Sequence, residues 1–383
     1  MMRASVEFLL ITGLGSRYCD AAKTALEAAQ RTEDPHLISQ ALFECARAAG
    51  DEGTADLFKT AEAGADALLA KTSPDRIPMA ILAKSYCRFL LGDPAEATKR
   101  LREVLYTSQP TANAAQLAII HSGLGINNYF MCHFEEAYQD YTKAFELTKK
   151  VGDDARLCTI AANLCAVLMT RGDYDSAVRY GKLSVKHGES CSSSYLLVAY
   201  TNLIDPYMLQ GDESAAMQCL ETAQKWMAPE RRWRLRLQFI AEAASFALMQ
   251  RNVGLAMDLI AQLESVSRER EIAIPMPGAY WKLKAFKMAQ MGQMEDAYST
   301  VSKLATLWRN TLVLAHLDMV ATKAWLERLD QGTVRPETAD DLDLFRRLGA
   351  VGKRQLLGFP WFWETLVDLR SRQKAQRIQE WSR

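Results

Sequence analysis

Arg171-Gly172-Asp173-Tyr174-Asp175-Ser176-Ala177 is the stretch that decides the fold, because it does not stand alone. It returns as Leu91-Gly92-Asp93-Pro94-Ala95-Glu96-Ala97, as Gln210-Gly211-Asp212-Glu213-Ser214-Ala215-Ala216 and as Met291-Gly292-Gln293-Met294-Glu295-Asp296-Ala297. Looser copies are Met131-Cys132-His133-Phe134-Glu135-Glu136-Ala137 and Arg251-Asn252-Val253-Gly254-Leu255-Ala256; Gly50 to Ala55 and Ser16 to Ala21 fit the same frame. The closing alanines stand at 21, 55, 97, 137, 177, 216, 256 and 297, so successive spacings are 34, 42, 40, 40, 39, 40 and 41. A near-constant period of this length marks a helical solenoid built from one supersecondary unit per repeat.

Each residue of the phrase has a physical task. The Gly follows a helix and takes the left-handed conformation that ends it. The Asp caps the next helix. The Ala is small, which lets the second helix approach the first closely. The flanks agree: Leu157 to Met169 is an apolar run of helical length, and Ala177 to Val185 carries apolar residues at helical spacing. Lys149 and Lys150 close a helix where cations suit the dipole.

These units resemble the tetratricopeptide repeat family. His121 to Lys150 shows it best: Leu124 and Gly125 match the Leu-Gly of the first helix, Ala137 the alanine of the second, and Tyr141 and Ala144 the later aromatic and small positions. Trp281 stands at the opening Trp position of the Ala297 unit and Tyr207 at the Tyr position of the Ala216 unit. The repeat exceeds the usual family length. In that it is similar to the long-repeat regions of MalT-type bacterial regulators and related signal-transducing ATPases. The resemblance runs from Cys19 to Leu326. It implies an all-α, right-handed α-α superhelix of about eight or nine helix pairs.

The array is expected over residues 1–330, with 331–383 forming a degenerate last repeat and a C-terminal helical cap. One period beyond Gly292 lands on Gly332, where Thr333-Val334-Arg335-Pro336 breaks the pattern. Leu342 to Leu348 and Trp361 to Trp381 read as terminal helices, and Trp361 and Trp363 as packing the cap onto the last repeat. Phe8 to Leu14 is too short an apolar run to span a bilayer, follows Glu7 directly, and reads as a first packed helix. The two opening methionines are compatible with a region excised from a larger regulator.

The 383 residues carry 46 Lys+Arg and 46 Asp+Glu, a balance that argues against a nucleic-acid partner. The balance is a cancellation. Asp20 to Ala70 has a net charge of −6, and Arg346 to Arg383 one of +6. The two ends therefore offer self-association as an alternative to plain solvated caps. The eight cysteines, Cys19, Cys45, Cys87, Cys132, Cys158, Cys165, Cys191 and Cys219, form no CxxC pair and read as buried thiols in a reducing cytoplasm.

Catalytic signatures are missing. The five histidines show no HxxxH or HExxH spacing, and no GxGxxG, P-loop or GxSxG element occurs. Asp153-Asp154 and Asp340-Asp341 read as helix caps in loops rather than as an acid–base pair. The chain is expected to be a non-enzyme without a metal or other cofactor.

The chemistry that remains is a groove. First helices of stacked pairs line one face, and the resemblance implies that polar residues there hold a peptide, Asn offering both a donor and an acceptor. Fourteen residues before each closing alanine this register gives Asn163, Asn202 and Glu242. Thr159, Thr201, Asp205, Gln238, Ser245 and Lys282 neighbour it, and Arg231, Arg232, Arg234 and Arg236 supply anion-binding forks. The alternative is that each Asn caps or bridges helices. The expected function is a cytoplasmic scaffold or sensor taking a protein or peptide segment, as the signal-receiving part of a bacterial regulatory system. Rivals are a small-molecule sensor that oligomerises on binding, and an enzyme on a helical toroid.

Overall fold

The computed structural model describes residues 16–52, 55–73, 77–108, 113–191, 195–227, 233–268 and 278–350. Over these residues the chain is all α, with seventeen helices. They are α1 (Ser16–Thr32), α2 (Pro35–Glu52), α3 (Ala55–Leu69), α4 (Pro78–Leu90), α5 (Pro94–Ser108), α6 (Ala114–Phe130), α7 (Phe134–Val151), α8 (Asp154–Arg171) and α9 (Tyr174–Ser190). There follow α10 (Leu196–Leu209), α11 (Glu213–Met227), α12 (Trp233–Met249), α13 (Val253–Arg268), α14 (Gly278–Gln290), α15 (Met294–Trp308), α16 (Val313–Gln331) and α17 (Pro336–Arg347). Even-numbered helices are the first members of pairs and odd-numbered ones the second, giving eight pairs after α1.

The recurrent phrase is the turn inside each pair. Gly92, Gly172, Gly211 and Gly292 have φ of 82°, 88°, 78° and 78°. Cys132 and Arg251 take the same left-handed conformation, with φ of 62° and 57°, although each carries a side chain. The backbone bonds repeat too: the amide after the turn residue reaches back five carbonyls, Asp93 to Arg88 at 3.0 Å, His133 to Asn128 at 2.8 Å, Asp212 to Tyr207 at 2.9 Å and Asn252 to Ala247 at 2.9 Å. The cap follows at once. Asp93, Asp173, Asp212 and Asn252 accept from the amides of Glu96, Ser176, Ala215 and Leu255 at 3.0–3.2 Å.

In two copies of the phrase the opening residues lie within helices. Ser16 to Ala21 lies within α1, and Gly50 is buried inside α2. At Gly50 a Cβ would come within 3.0 Å of the Leu90 and Tyr86 side chains, so glycine serves close packing there rather than helix termination. Asp340 and Asp341, expected in a loop, lie inside α17, where Asp341 pairs with Arg309 at 3.1 Å. Asp153 does cap α8, accepting from the Arg156 amide at 3.0 Å.

Small residues set the packing within pairs. In α6–α7, Leu124, Ala137, Tyr141 and Ala144 are buried, and the Tyr141 ring lies 2.8 Å from where a Cβ of Gly125 would stand. A fully buried core Leu such as Leu164 contributes about 2 kcal/mol. First helices are buried over most of their surface, as Leu157 to Leu168 of α8 shows; second helices bury one stripe, Ala137, Tyr141, Ala144 and Thr148 in α7. Seven cysteines are buried and Cys191 is half-buried. Burial pushes the Cys45 and Cys87 thiols up to about 12, which keeps them unreactive.

The chain divides into two compact units. The first comprises Met1–Met169, Asp173–Phe239 and Ser265–Pro275, the second Thr170–Gly172, Ile240–Glu264 and Met276–Arg383. In the second unit, Gly332 ends α16 with φ 79° and Pro336 starts α17, the position where the pattern degenerates. Glu327 of α16 anchors this end. Its carboxylate, without exposed surface, accepts from Thr338 Oγ1 at 2.9 Å and the Arg335 amide at 3.0 Å. The expected first helix at Phe8 to Leu14, the cap from Trp361 to Trp381 and the basic C-terminal end beyond residue 350 lie outside the described residues. No helix among the described residues is long and apolar enough to cross a membrane.

Candidate functional site

The first helices of the first unit place a row of polar groups side by side. Asn202 of α10 donates Nδ2 to the Ala162 carbonyl of α8 at 2.9 Å and accepts from Gln238 Nε2 of α12 at 3.2 Å. One side chain thus bridges three consecutive first helices, the bridging role foreseen as the alternative to ligand binding. Cys165 Sγ of α8 reinforces it, 3.2 Å from the Asn202 carbonyl. Asn163, beside Ala162, is half-buried and makes no side-chain hydrogen bond with a described residue. Asp205, one turn along α10 from Asn202, is half-buried and likewise without a hydrogen bond or ion pair among described residues. Half-buried polar groups left unspent beside a satisfied bridge are suited to an incoming ligand.

Other residues of the expected groove are placed differently. Thr159 is half-buried and bonds the Ala155 carbonyl of its own helix at 3.1 Å. Thr201 is buried, its hydroxyl back-bonded to Leu197 at 2.7 Å, so it belongs to the core and not to the open face. Its neighbour Asn202 is the more accessible of the two because successive residues point about 100° apart around a helix. Glu242 and Ser245, on the later part of α12, and Lys282, on α14, belong to the second unit. Ser245 bonds its own helix at Ala241, 2.9 Å away. Arg231 and Arg232 lie outside the described residues.

Arg234 has a partner that the repeat pattern does not announce. Its Nη1 donates to the Tyr86 hydroxyl of α4 at 3.3 Å. One repeat earlier on each side the roles are exchanged: Arg47 Nη2 of α2 donates to the hydroxyl of Tyr195, just before α10, at 3.5 Å. Each pair is separated by 148 residues, and both partners advance by 39, from 47 to 86 and from 195 to 234. The first unit therefore closes on itself, and two reciprocal Arg–Tyr bonds seal the closure. Burial, opposed by the Arg234 charge, pushes the Tyr86 phenol up to about 12, so it keeps its proton at neutral pH.

Neither a family model nor a curated protein matches the sequence. Solved structures do. The chain is similar to the apo form of RapI over 90% of its own length and 98% of RapI's, with a TM-score of 0.52 at 10% identity. It also aligns with BtubC (BKLC) from P. vanneervenii over 56% of this chain and 91% of that one, at 20% identity and a TM-score of 0.45. A third alignment, with the APC/C hetero-tetramer Cut9-Hcn1, covers 94% of this chain and 68% of that one, at 11% identity and a TM-score of 0.40. The likeness to RapI is one of fold, an all-α array of stacked helix pairs.

Proposed function

We propose that this protein is a binding scaffold, not an enzyme, and that its first unit takes a protein or peptide segment along the first-helix face. The observation that carries the reading is the polar row: Asn163 and Asp205, half-buried and without a side-chain hydrogen bond to a described residue, flank the Asn202–Gln238 bridge on adjacent helices. Asn163 offers both a donor and an acceptor, the pair that a peptide backbone presents. The match in length with RapI, solved in an apo form, is compatible with a ligand-receiving array. Within this reading the chain is the signal-receiving part of a regulatory system, as the long-repeat regulators that it resembles use such arrays.

A random peptide library displayed on phage, panned against the full chain, tests this. Enriched peptides are expected to bind wild-type protein and to lose affinity on Asn163→Ala combined with Asp205→Ala, neither of which removes a side-chain hydrogen bond to a described residue. Undiminished binding to the double variant refutes the proposed face.

A further inference from the structure

We propose that Arg47, Tyr86, Tyr195 and Arg234 form a binding site for the carboxylate of an acidic peptide segment, and that the bound anion ties the first repeats of the first unit to its later ones. The inference rests on the peptide-binding reading above and names the chemistry of the partner.

The cluster brings together several strong donors. Two guanidinium groups and two phenols meet, and in both bonds between them the acceptor is a hydroxyl oxygen. The bonds, at 3.3 and 3.5 Å, are long against the 2.7–2.9 Å typical of a guanidinium on an anion. Acids facing the cluster include Glu44, paired with Arg47 at 3.4 Å within α2, and Asp51, within electrostatic reach of Tyr86. Arg234 has no carboxylate partner among the described residues. A half-buried guanidinium with one long bond keeps most of its five donors for a ligand, and a carboxylate matches its fork.

Two further features favour an anion at this place. Tyr195 precedes α10 without capping it by its side chain, and Arg234 is the second residue of α12, so two helix starts add positive potential. Arg234 is also one turn from Gln238 on α12, so the cluster continues the polar row that runs through Asn202. An extended chain lying on that row reaches Arg234 at its end, which favours a peptide carboxylate over an isolated small anion.

The test uses peptides selected from the random library on the full-length chain. Enriched sequences are expected to carry Asp or Glu, and their affinity to fall at least about tenfold on Arg234→Gln and less on Arg234→Lys. Circular dichroism melts check that each variant folds. If Arg234→Gln does not, Tyr86→Phe, which removes a hydroxyl and no charge, is expected to weaken the same peptides about threefold. Enriched peptides without acids, or acidic ones insensitive to both substitutions, overturn the inference and leave peptide binding standing. If no peptide binds but inorganic phosphate alone raises the melting temperature in an Arg234-dependent way, the ligand is a free anion and the peptide form of the proposal is refuted. No binding by peptide or phosphate overturns both readings.

Discussion

Tyr298 of α15 donates its hydroxyl to Glu327 Oε1 of α16 at 3.1 Å, and Arg335 Nη1 donates in turn to the same hydroxyl at 3.1 Å. The phenol is a relay that links a buried carboxylate of α16 to a cation just before α17. Lys323 Nζ and Arg335 Nε, each 3.8 Å from the carboxylate, balance its charge, and both cations also lie over the Tyr298 ring.

Removing the anion from this hub leaves buried donors and two uncompensated cations. Glu327→Ala is expected to cost about 3 kcal/mol or more, because a buried network is broken from one side. Denaturant unfolding reads the loss, and hydrogen exchange should place it in α16 and α17 first. A variant as stable as wild type with α17 still protected would contradict the role assigned to Glu327.

The turn glycines make a cleaner measurement. Gly211 has φ 78° and nothing within 4 Å of where a Cβ would stand, so Gly211→Ala tests backbone strain alone. It should cost about 1 kcal/mol. Arg251, already in the left-handed region at φ 57°, is the reverse case: Arg251→Gly should gain up to about 1 kcal/mol, less whatever its side chain contributes. The two midpoints should move in opposite directions in urea; a shift of the same sign for both would show that turn conformation is not the controlling factor.

Gly125 fails for a different reason. An added methyl would stand 2.8–2.9 Å from three atoms of the buried Tyr141 ring. Gly125→Ala should cost roughly 1–3 kcal/mol through overpacking. Partial recovery on adding Tyr141→Leu, scored as a double-mutant cycle, identifies the ring as the obstacle. Strict additivity would show that the cost lies elsewhere.

Acid should weaken the second unit through His316. Nδ1 is 2.8 Å from the Ala305 carbonyl, Nε2 is buried without a hydrogen-bond partner among the described residues, and burial pulls the imidazole below the ordinary histidine range. A group whose folded value is depressed is neutral in both states at high pH and adds nothing there. As pH falls below about 6.5 the unfolded chain takes up the proton first, and stability is lost until the folded value is passed. Unfolding free energies at pH 7.5 and 5.5 should therefore fall more steeply for wild type than for His316→Gln. Parallel pH profiles would remove His316 from the account.

Much of the fold was legible because one turn recurs. Gly92, Gly172, Gly211 and Gly292 announce a left-handed residue, and the Asp that follows the first three announces a cap. Cys132 and Arg251 were readable only through the period, since nothing local demands their conformation. Gly50 misled, because a glycine that admits Leu90 and Tyr86 looks in sequence like one that ends a helix. Within the candidate site, Asn163 and Asn202 followed from register, and Asp205 as their neighbour along the same face. The Arg–Tyr closure did not. It depends on the angle accumulated between successive pairs, and the composition of one repeat does not encode that angle. Its trace in the sequence is the common step of 39 from Arg47 to Tyr86 and from Tyr195 to Arg234.

That closure makes the array count its own units. A pair duplicated between Tyr86 and Tyr195 would carry both acceptor–donor couples out of register, and the bonds at 3.3 and 3.5 Å would have no partners to form. A pair duplicated beyond Arg234 would leave them untouched. Growth by unit duplication, the ordinary route by which solenoids change length, is thus open at the far end of this chain and closed inside its first turn.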